Sequence, residues 1–259
     1  MTENSLPYVV SVVRDQVMYD MCVGSNPCFD SFERIAFDNN KQNLTIPQRY
    51  NSFIDSLPDS YDGWIVFCHE DWKCEEDLSL ILPGLDKDKI YGPIGVFLQH
   101  RLCRDYIIAV GTIRMCDKNG KRLITAGRHC PKRGRVDCLD CQCVIVHSSL
   151  IRKYKLRFDE NLSFDMYVED FCASAHENFG VITEVVPINC VHFSYGVLGE
   201  SFRKALEYVR QKFKNARKGY ITPVGYKCTF GFRQKGPLHH THFPRLALKL
   251  NGKHNKRNL

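Results

Sequence analysis

The chain has 259 residues, of which 44% are hydrophobic and 25% are charged, the composition of an ordinary globular protein. No stretch approaches the roughly 18 consecutive apolar residues of a membrane span, and the short apolar run after Pro7 lacks the basic leader of a secretory signal. We therefore expect a cytoplasmic protein with one large domain or two small ones.

Positive charge is concentrated at the C-terminus. Residues 201–259 contain 15 Lys and Arg against one acid, whereas the first 200 residues contain 21 Lys and Arg against 28 acids. The net charges of the two parts are therefore +14 and −7. This asymmetry predicts an acidic body at residues 1–198 and a basic, helical or irregular extension at residues 199–259.

The predicted elements of the first half alternate between strands and helices. β-branched and apolar runs predict strands at Tyr8–Val13, Arg34–Asp38 and Trp64–Cys68. Pro47 opens a predicted helix over Gln48–Leu57, because proline favours the first helical turn. The alternation predicts an α/β fold with an open, mostly parallel central sheet flanked by helices.

The second half continues with elements of both kinds. In chain order they are a helix at Leu78–Leu82, a hairpin from Asp105–Met115 to Leu123–Ile124, a helix at Tyr167–Asn178, a strand at Val181–Val186 and a helix at Gly199–Arg217. The last helix is amphipathic and cationic, with Phe202, Leu206, Val209 and Phe213 at helical spacing.

Imidazole and acidic side chains follow the third predicted strand, as His69, Glu70 and Asp71. Open α/β sheets build ligand sites at the carboxyl ends of their strands. His69 and Asp71 alternate along the chain and can share a face, and oxygen ligands with one imidazole suit Mn²⁺ or Mg²⁺ on a diphosphate. The alternative interpretation is a polar surface loop.

Two further groups of polar residues could act together with His69, Glu70 and Asp71. Glu169 and Asp170 begin a predicted helix, where a carboxylate can act as a general base for a hydroxyl nucleophile. The alternative is that these acids only complement the helix dipole. His192 follows another apolar run and is a structural residue unless the other groups accompany it.

Several short motifs follow one another between residues 8 and 196. They are the strand ending in Asp38, Arg49-Tyr50-Asn51, Phe67-Cys68-His69-Glu70-Asp71, Gly92-Pro93-Ile94-Gly95-Val96, Val136-Asp137-Cys138-Leu139-Asp140, Arg157-Phe158-Asp159-Glu160, Tyr167-Val168-Glu169-Asp170 and Val191-His192-Phe193-Ser194. The set resembles the glycosyltransferase family 2-like group with the GT-A fold, in a branch where the usual Asp-x-Asp appears as His-x-Asp.

The resemblance implies a Rossmann-like nucleotide-binding half and a nucleotide-diphosphate sugar donor. The residues that would bind this donor are Ser11, Arg14, Asp38, Tyr50, Asn51, Glu70 and Asp71. A glycan or lipid-linked acceptor would contact Trp72 and Asp140, and Mn²⁺ or Mg²⁺ would be held by Asp71, His192 and His69.

The implied reaction is a single, inverting displacement in cell-surface polysaccharide or glycan synthesis. Asp170, with Glu169 beside it, would remove the acceptor proton. Two departures from the family pattern concern His69, which replaces the first Asp, and Cys141, which stands where a glycine often follows the Asp140-like acid.

Other interpretations stay open for the basic extension and for the cysteines. The extension can bind an anionic membrane at its inner face, or be a solvated helix on the acidic body. Its aromatic residues make a nucleic-acid-binding protein the alternative function, although no nucleic-acid motif is present. The 13 cysteines favour buried thiols, and zinc binding within Cys130–Cys143 is the alternative to that.

Overall fold

The computed structural model describes residues 5–101, 104–117, 120–129, 132–194, 199–216 and 238–240. Its strands are β1 (Tyr8–Val13), β2 (Glu33–Asp38), β3 (Trp64–Cys68), β4 (Trp72–Cys74), β5 (Lys89–Gly92), β6 (Ile94–Arg101), β7 (Arg104–Cys116), β8 (Leu123–Arg128), β9 (Gly134–Val136), β10 (Cys138–Leu139), β11 (Cys143–His147), β12 (Ile182–Val185), β13 (Cys190–His192) and β14 (Leu238–His240). Its helices are α1 (Gln16–Tyr19), α2 (Ile46–Ser56), α3 (Ser148–Tyr154), α4 (Tyr167–Phe179) and α5 (Glu200–Lys212), with a π-helical turn at Asp20–Gly24 and 3₁₀ turns at Pro27–Phe29, Leu78–Leu80 and Leu82–Gly84.

The first sheet has the strand order β2-β1-β3-β11-β5-β12-β9. β1 lies parallel to both β2 and β3, and β12 lies parallel to β5, but β11 and β9 are antiparallel to their neighbours. The predicted mostly parallel sheet is therefore not confirmed, and the fold is mixed α/β. The physical reason is that no α-helix separates β3 from β11, so no crossover connection constrains β11 to run parallel.

The second sheet has the order β10-β6-β7-β13-β4, and β7 also pairs with β8 and β14. β6 and β7 form a long antiparallel hairpin, and β8 pairs antiparallel with the second part of β7, from Gly111 to Cys116. The predicted hairpin at Asp105–Met115 is thus confirmed as part of β7 and β8. The rest of this sheet, including its pairing with β13, was not predicted.

Local sequence signals account for the elements that were predicted correctly. Thr45 caps α2 by accepting from the Gln48 amide, and the Gln48 side chain accepts from the Thr45 amide in return. The predicted helix at Leu78–Leu82 is wrong, because the chain forms two 3₁₀ turns there. Pro83 lacks the amide hydrogen needed to continue a longer helix.

The basic helix α5 packs on the body of the protein. Its apolar stripe of Phe202, Leu206, Val209 and Phe213 is buried in the same hydrophobic core as both sheets. Residues 217–237 and 241–259 lie outside the described residues, so the domain boundary at residue 198 stays a prediction. In the described part of the chain, every helix is too short or too polar to cross a bilayer.

A substitution at Gly111 tests how closely the backbones of β6 and β7 approach each other. Its φ is +85°, and an added Cβ would overlap the carbonyl oxygen of Pro93. Gly120 has a similar φ of +68° but open space around it. We expect Gly111→Ala to lower the free energy of unfolding by about 3 kcal/mol, from left-handed strain plus overpacking, and Gly120→Ala by about 1 kcal/mol. Urea unfolding measures both, and equal losses would contradict the close approach.

Candidate metal centre and its neighbouring acids

The strand pairings bring His69, Asp71 and His192 together. The chain leaves β3 in the first sheet and enters β4 in the second through His69, Glu70 and Asp71. β13 pairs antiparallel with β4 so that His192 lies opposite Trp72, and the Phe193 amide donates to the Asp71 carbonyl oxygen at 2.9 Å. Two residues from one strand end thereby meet a third from a distant strand.

The three side chains have distances that suit a common metal ion. Nε2 of His192 lies 3.2 Å from Oδ1 of Asp71, and Nδ1 of His69 lies 4.0 Å from the same oxygen. Two ligands about 2.1 Å from an ion and at right angles to each other are about 3 Å apart. Within the described ranges, this is the one group of three or more potential ligands whose atoms lie within 4.8 Å of one another.

The hydrogen bonds around His69 set its tautomer. The Tyr167 hydroxyl donates to the Cys141 carbonyl oxygen at 2.7 Å, so it must accept from Nε2 of His69 at 2.9 Å. Nδ1 of His69 is then the nitrogen without a proton. Burial also lowers the pKa of His69 to about 4, which keeps the ring neutral. A neutral imidazole whose other nitrogen is held by a partner is the usual state of a metal ligand.

Asp71 and His192 stabilise each other in their charged forms. Burial opposes ionisation of Asp71, but its contact with His192 outweighs this and holds the pKa of the carboxyl below its usual value. Nε2 of His192 is buried and lies 3.2 Å from Oδ1 of Asp71 without hydrogen-bond geometry, and the charge of Asp71 raises the pKa of His192 against the effect of burial. A divalent ion would displace the proton of His192, and a buried nitrogen without a well-aligned hydrogen bond is free to serve as a ligand. These residues fit a divalent ion, and two imidazoles favour Mn²⁺ over Mg²⁺, which prefers oxygen ligands.

The predicted acids of α4 differ in charge. Both carboxyls are buried, but Lys212 lies 2.9 Å from Asp170 whereas Oε2 of Glu169 has no hydrogen-bond partner. Burial raises the pKa of Asp170 to about 6 against the effect of Lys212. Burial and the charge of Asp140 raise the pKa of Glu169 to about 8. At neutral pH, Asp170 is therefore mostly ionised and Glu169 mostly protonated.

Asp140 stands between the metal ligands and α4. Its carboxylate accepts from the Cys141 amide at 3.0 Å and from Nε2 of Gln142 at 2.8 Å, while burial raises its pKa. The same charge acts on both His192 and Glu169. The structure thus brings the predicted Asp140 into the same group as the ligands and acids.

Three of the predicted nucleotide-binding residues lie at neighbouring strand ends. The Glu70 carboxylate accepts from the backbone amides of Arg14 and Asp15, at 2.6 and 2.9 Å. Asp38 is exposed at the end of β2, and the Asn40 amide holds the pKa of its carboxyl below the usual value. The carboxyl ends of the parallel strands β1, β2 and β3 therefore carry Arg14, Asp38 and Glu70.

Four other predicted contact residues are buried in the core. Ser11 contacts the Cys68 thiol, Tyr50 donates to the Cys68 carbonyl oxygen at 3.1 Å, and Asn51 bonds both backbone groups of Phe158. Trp72 is fully buried beside Phe29. These side chains complete the packing behind the strand ends, so their placement does not support direct contact with a nucleotide or sugar.

The sequence reasoning missed two aromatic residues at the centre. Tyr167, which orients His69, precedes the two acids by two and three residues. Its position beside these acids was the one sequence signal that could have identified it. Phe164 is 56% exposed and stacks on the His69 ring at 5.3 Å. The zinc alternative gains no support, since Cys138, Cys141 and Cys143 form no ligand cluster among the described residues, from which Cys130 is absent.

No family model and no curated protein matches the sequence. Among solved structures, the chain is similar to GalNAc-T7 crystallised with UDP, GalNAc and Mn²⁺, with 8% identity, a TM-score of 0.47 and coverage of 72% of this chain and 42% of that one. It is also similar to A197 from STIV (11% identity, TM-score 0.40, coverage 91% and 99%) and to HddC from Yersinia pseudotuberculosis (14%, 0.34, 79% and 79%). The chain spans less than half the length of GalNAc-T7. At such TM-scores these similarities determine neither the family nor the activity of this chain. An activity has to be argued from the residues of the site.

Tyr167→Phe tests the tautomer of His69. Removing the hydroxyl leaves Nε2 of His69 without its acceptor, so we expect the affinity for Mn²⁺ to fall about tenfold with the fold intact. Isothermal calorimetry measures the affinity, and circular dichroism monitors the fold. Tyr61→Phe is the matched control, because the Tyr61 hydroxyl is also buried and donates to the carbonyl oxygen of Trp64. Equal Mn²⁺ affinity in the two variants would contradict the assignment.

Proposed function

We propose that this protein is a glycosyltransferase that moves a sugar from a nucleotide-diphosphate donor to a hydroxyl acceptor with inversion. One observation carries the proposal: His69, Asp71 and His192 converge beside helix α4, whose first turn supplies a buried, ionised carboxylate. Tyr167 and Asp170 are one turn apart on α4, so the residue that orients His69 and the candidate base share a face.

The donor would bind across the strand ends that carry Arg14, Asp38 and Glu70. A divalent ion on Asp71, His192 and His69 would supply positive charge to the donor diphosphate. Asp38 stays ionised at neutral pH and can accept a hydrogen bond from the base. The exposed Arg14 guanidinium donates to Asn43 and has further N–H groups to offer the phosphates. Glu70 holds the two amides that follow β1 and so fixes the position of Arg14.

The acceptor would be activated by Asp170. As the hydroxyl oxygen bonds to the anomeric carbon, its proton passes to the Asp170 carboxylate and the bond to the diphosphate oxygen breaks. Glu169, being protonated at neutral pH, would donate a hydrogen bond rather than accept the proton. Phe164 offers the exposed apolar ring that the sequence had placed at Trp72.

A metal-dependent oxygenase is a second candidate, because two imidazoles and one carboxylate are also the ligands of non-haem Fe(II) enzymes. That activity would leave the buried acids of α4 unexplained. Oxygen consumption with Fe(II), measured beside sugar transfer with Mn²⁺, separates the two. Nucleic-acid binding and membrane contact by residues 199–259 stay predictions, since most of that region lies outside the described residues.

Donor binding and transfer test the roles of Asp71 and Asp170. A thermal-shift screen of UDP-, GDP-, CMP- and dTDP-sugars with Mn²⁺ identifies a donor, which stabilises the native state by mass action. We expect Asp71→Asn to lose the Mn²⁺-dependent shift. Asp170→Asn should keep the shift but transfer about 10² to 10⁴ times more slowly, the usual contribution of a general base.

Asp30→Asn is the matched control for these variants, because Asp30 forms an exposed ion pair with Arg34. It should shift and transfer as the wild type does. Near wild-type transfer by Asp170→Asn would rule out its role as the base.

The pH dependence of kcat tests the separate roles of Asp170 as base and Glu169 as hydrogen-bond donor. We expect kcat to rise as Asp170 ionises near pH 6 and to fall as Glu169 ionises near pH 8. The Glu169→Gln variant has no ionisable group at this position. It should therefore lose the decline of kcat near pH 8 and keep the wild-type rate at neutral pH. If this variant is inactive at every pH, Glu169 rather than Asp170 carries the proton.

A further inference from the structure

Lys212, in the last turn of α5, reaches the candidate base on α4. Its Nζ lies 2.9 Å from each carboxylate oxygen of Asp170 and 2.6 Å from Oδ2 of Asp159. Asp159 also accepts from the Tyr208 hydroxyl at 2.9 Å and from the Asn161 amide at 3.0 Å. These contacts therefore join three segments: α5, α4 and the loop before α4.

The burial of Asp170 makes this contact consequential. Its side chain is 1% exposed, and a carboxylate so buried needs a charged or hydrogen-bonding partner to stay ionised. Besides Lys212, the groups that face it are the Ser174 hydroxyl at 3.4 Å and the negative charge of Asp159, which opposes ionisation. Of the cations in the described ranges, Lys212 is the one in ion-pair contact with Asp170.

We propose that Lys212 is a positioning residue for the candidate base: from α5 it fixes the Asp170 carboxylate in its ionised form. The proposal rests on the glycosyltransferase function proposed above. A carboxylate has about four acceptor positions, so the contacts with Lys212 and Ser174 leave hydrogen-bond acceptor capacity on Asp170.

This role changes the meaning of the basic C-terminal helix. Sequence patterning placed the cations of α5 on the surface, where Lys204 and Lys214 do lie exposed. Lys212 is also partly exposed, but its Nζ contacts Asp159 and Asp170 on the body of the protein. It lies on the helix whose Phe202, Leu206 and Val209 are buried in the core. The charge state of the base thus depends on the docking of a helix outside the motifs of the glycosyltransferase resemblance.

The first arm of the test needs no donor. The pKa of Asp170, about 6, lies above its unfolded value, so Asp170 binds extra protons in the native state and makes the free energy of unfolding fall as pH rises from about 4 to 6. Glu169, with a pKa of about 8, causes a further fall that continues to about pH 8. Without Lys212 the pKa of Asp170 rises further, so the steeper limb to which both acids contribute should extend upward by at least one pH unit. Urea unfolding of Lys212→Met from pH 4 to 8 measures this extension.

Three variants isolate the effect of Lys212 on Asp170. The double variant Lys212→Met/Asp170→Asn has no ionisable group at position 170, so it should lose the extension. Glu169 titrates alike in all of these proteins and contributes equally to each pH profile. Asp159, whose pKa Lys212 and neighbouring hydrogen bonds hold at about 2 against the effect of burial, titrates below this range in the wild type. Loss of Lys212 raises the pKa of Asp159 in the single and the double variant, so the double variant accounts for this effect. Lys214→Met removes an exposed lysine nearby and should behave as the wild type. An unextended limb in Lys212→Met would overturn the proposal.

The second arm measures transfer with the donor found in the thermal-shift screen. The lower limb of the kcat profile should move up by at least one pH unit in Lys212→Met and stay near pH 6 in Lys212→Arg, which keeps the charge. An unmoved limb in an active Lys212→Met enzyme would overturn the positioning role. If the wild type transfers no sugar, the glycosyltransferase function fails, and the unfolding arm still decides whether Lys212 sets the charge of Asp170.

Discussion

The register of β13 against β4 is the constraint on which the site depends. It places His192 opposite Trp72 and so beside Asp71, at the point where the chain passes from the first sheet to the second. A slip of one residue would turn His192 to the opposite face of the strand. The adjoining pairs, Cys190 with Cys74 and Val191 with Lys73, share this register. The candidate metal centre is thus a consequence of how two sheets share one core.

Burial and pairing together set the chemistry of the residues around that centre. Burial alone would neutralise Asp71 and Asp170, and each stays ionised through one cationic or imidazole partner, His192 or Lys212. Glu169 lacks such a partner and is protonated. Neighbouring acids on one helix therefore differ in charge because they face different directions.

Sequence patterns predicted the elements whose signals are local. The apolar runs of β1 and β3, the capping box of α2 and the start of α4 are each encoded within about ten residues. The order of motifs also anticipated the grouping of His69, Asp71 and His192. The direction of β11 was missed, because β11 returns to pair with β3 and β5 only after the chain has passed through the second sheet, and no local signal encodes those pairings.

Side-chain orientation was the other limit of sequence reasoning. Trp72, Tyr50 and Asn51 were assigned to ligands because they adjoin motif residues, yet each points into the core. Tyr167 and Lys212 act through contacts across 98 and 42 residues of sequence, which no spacing rule reveals. Position along the chain identified the strand ends, but only the packing shows which side chains are available there.

Anomalous diffraction from crystals grown with Mn²⁺ and a nucleoside diphosphate tests the central claim most directly. The account predicts one strong peak about 2.2 Å from an Asp71 oxygen and from Nε2 of His192, with Nδ1 of His69 as the third protein ligand. Electron density for the diphosphate should lie against the ends of β1 to β3. A manganese peak at other residues, or none at saturating Mn²⁺, would contradict it.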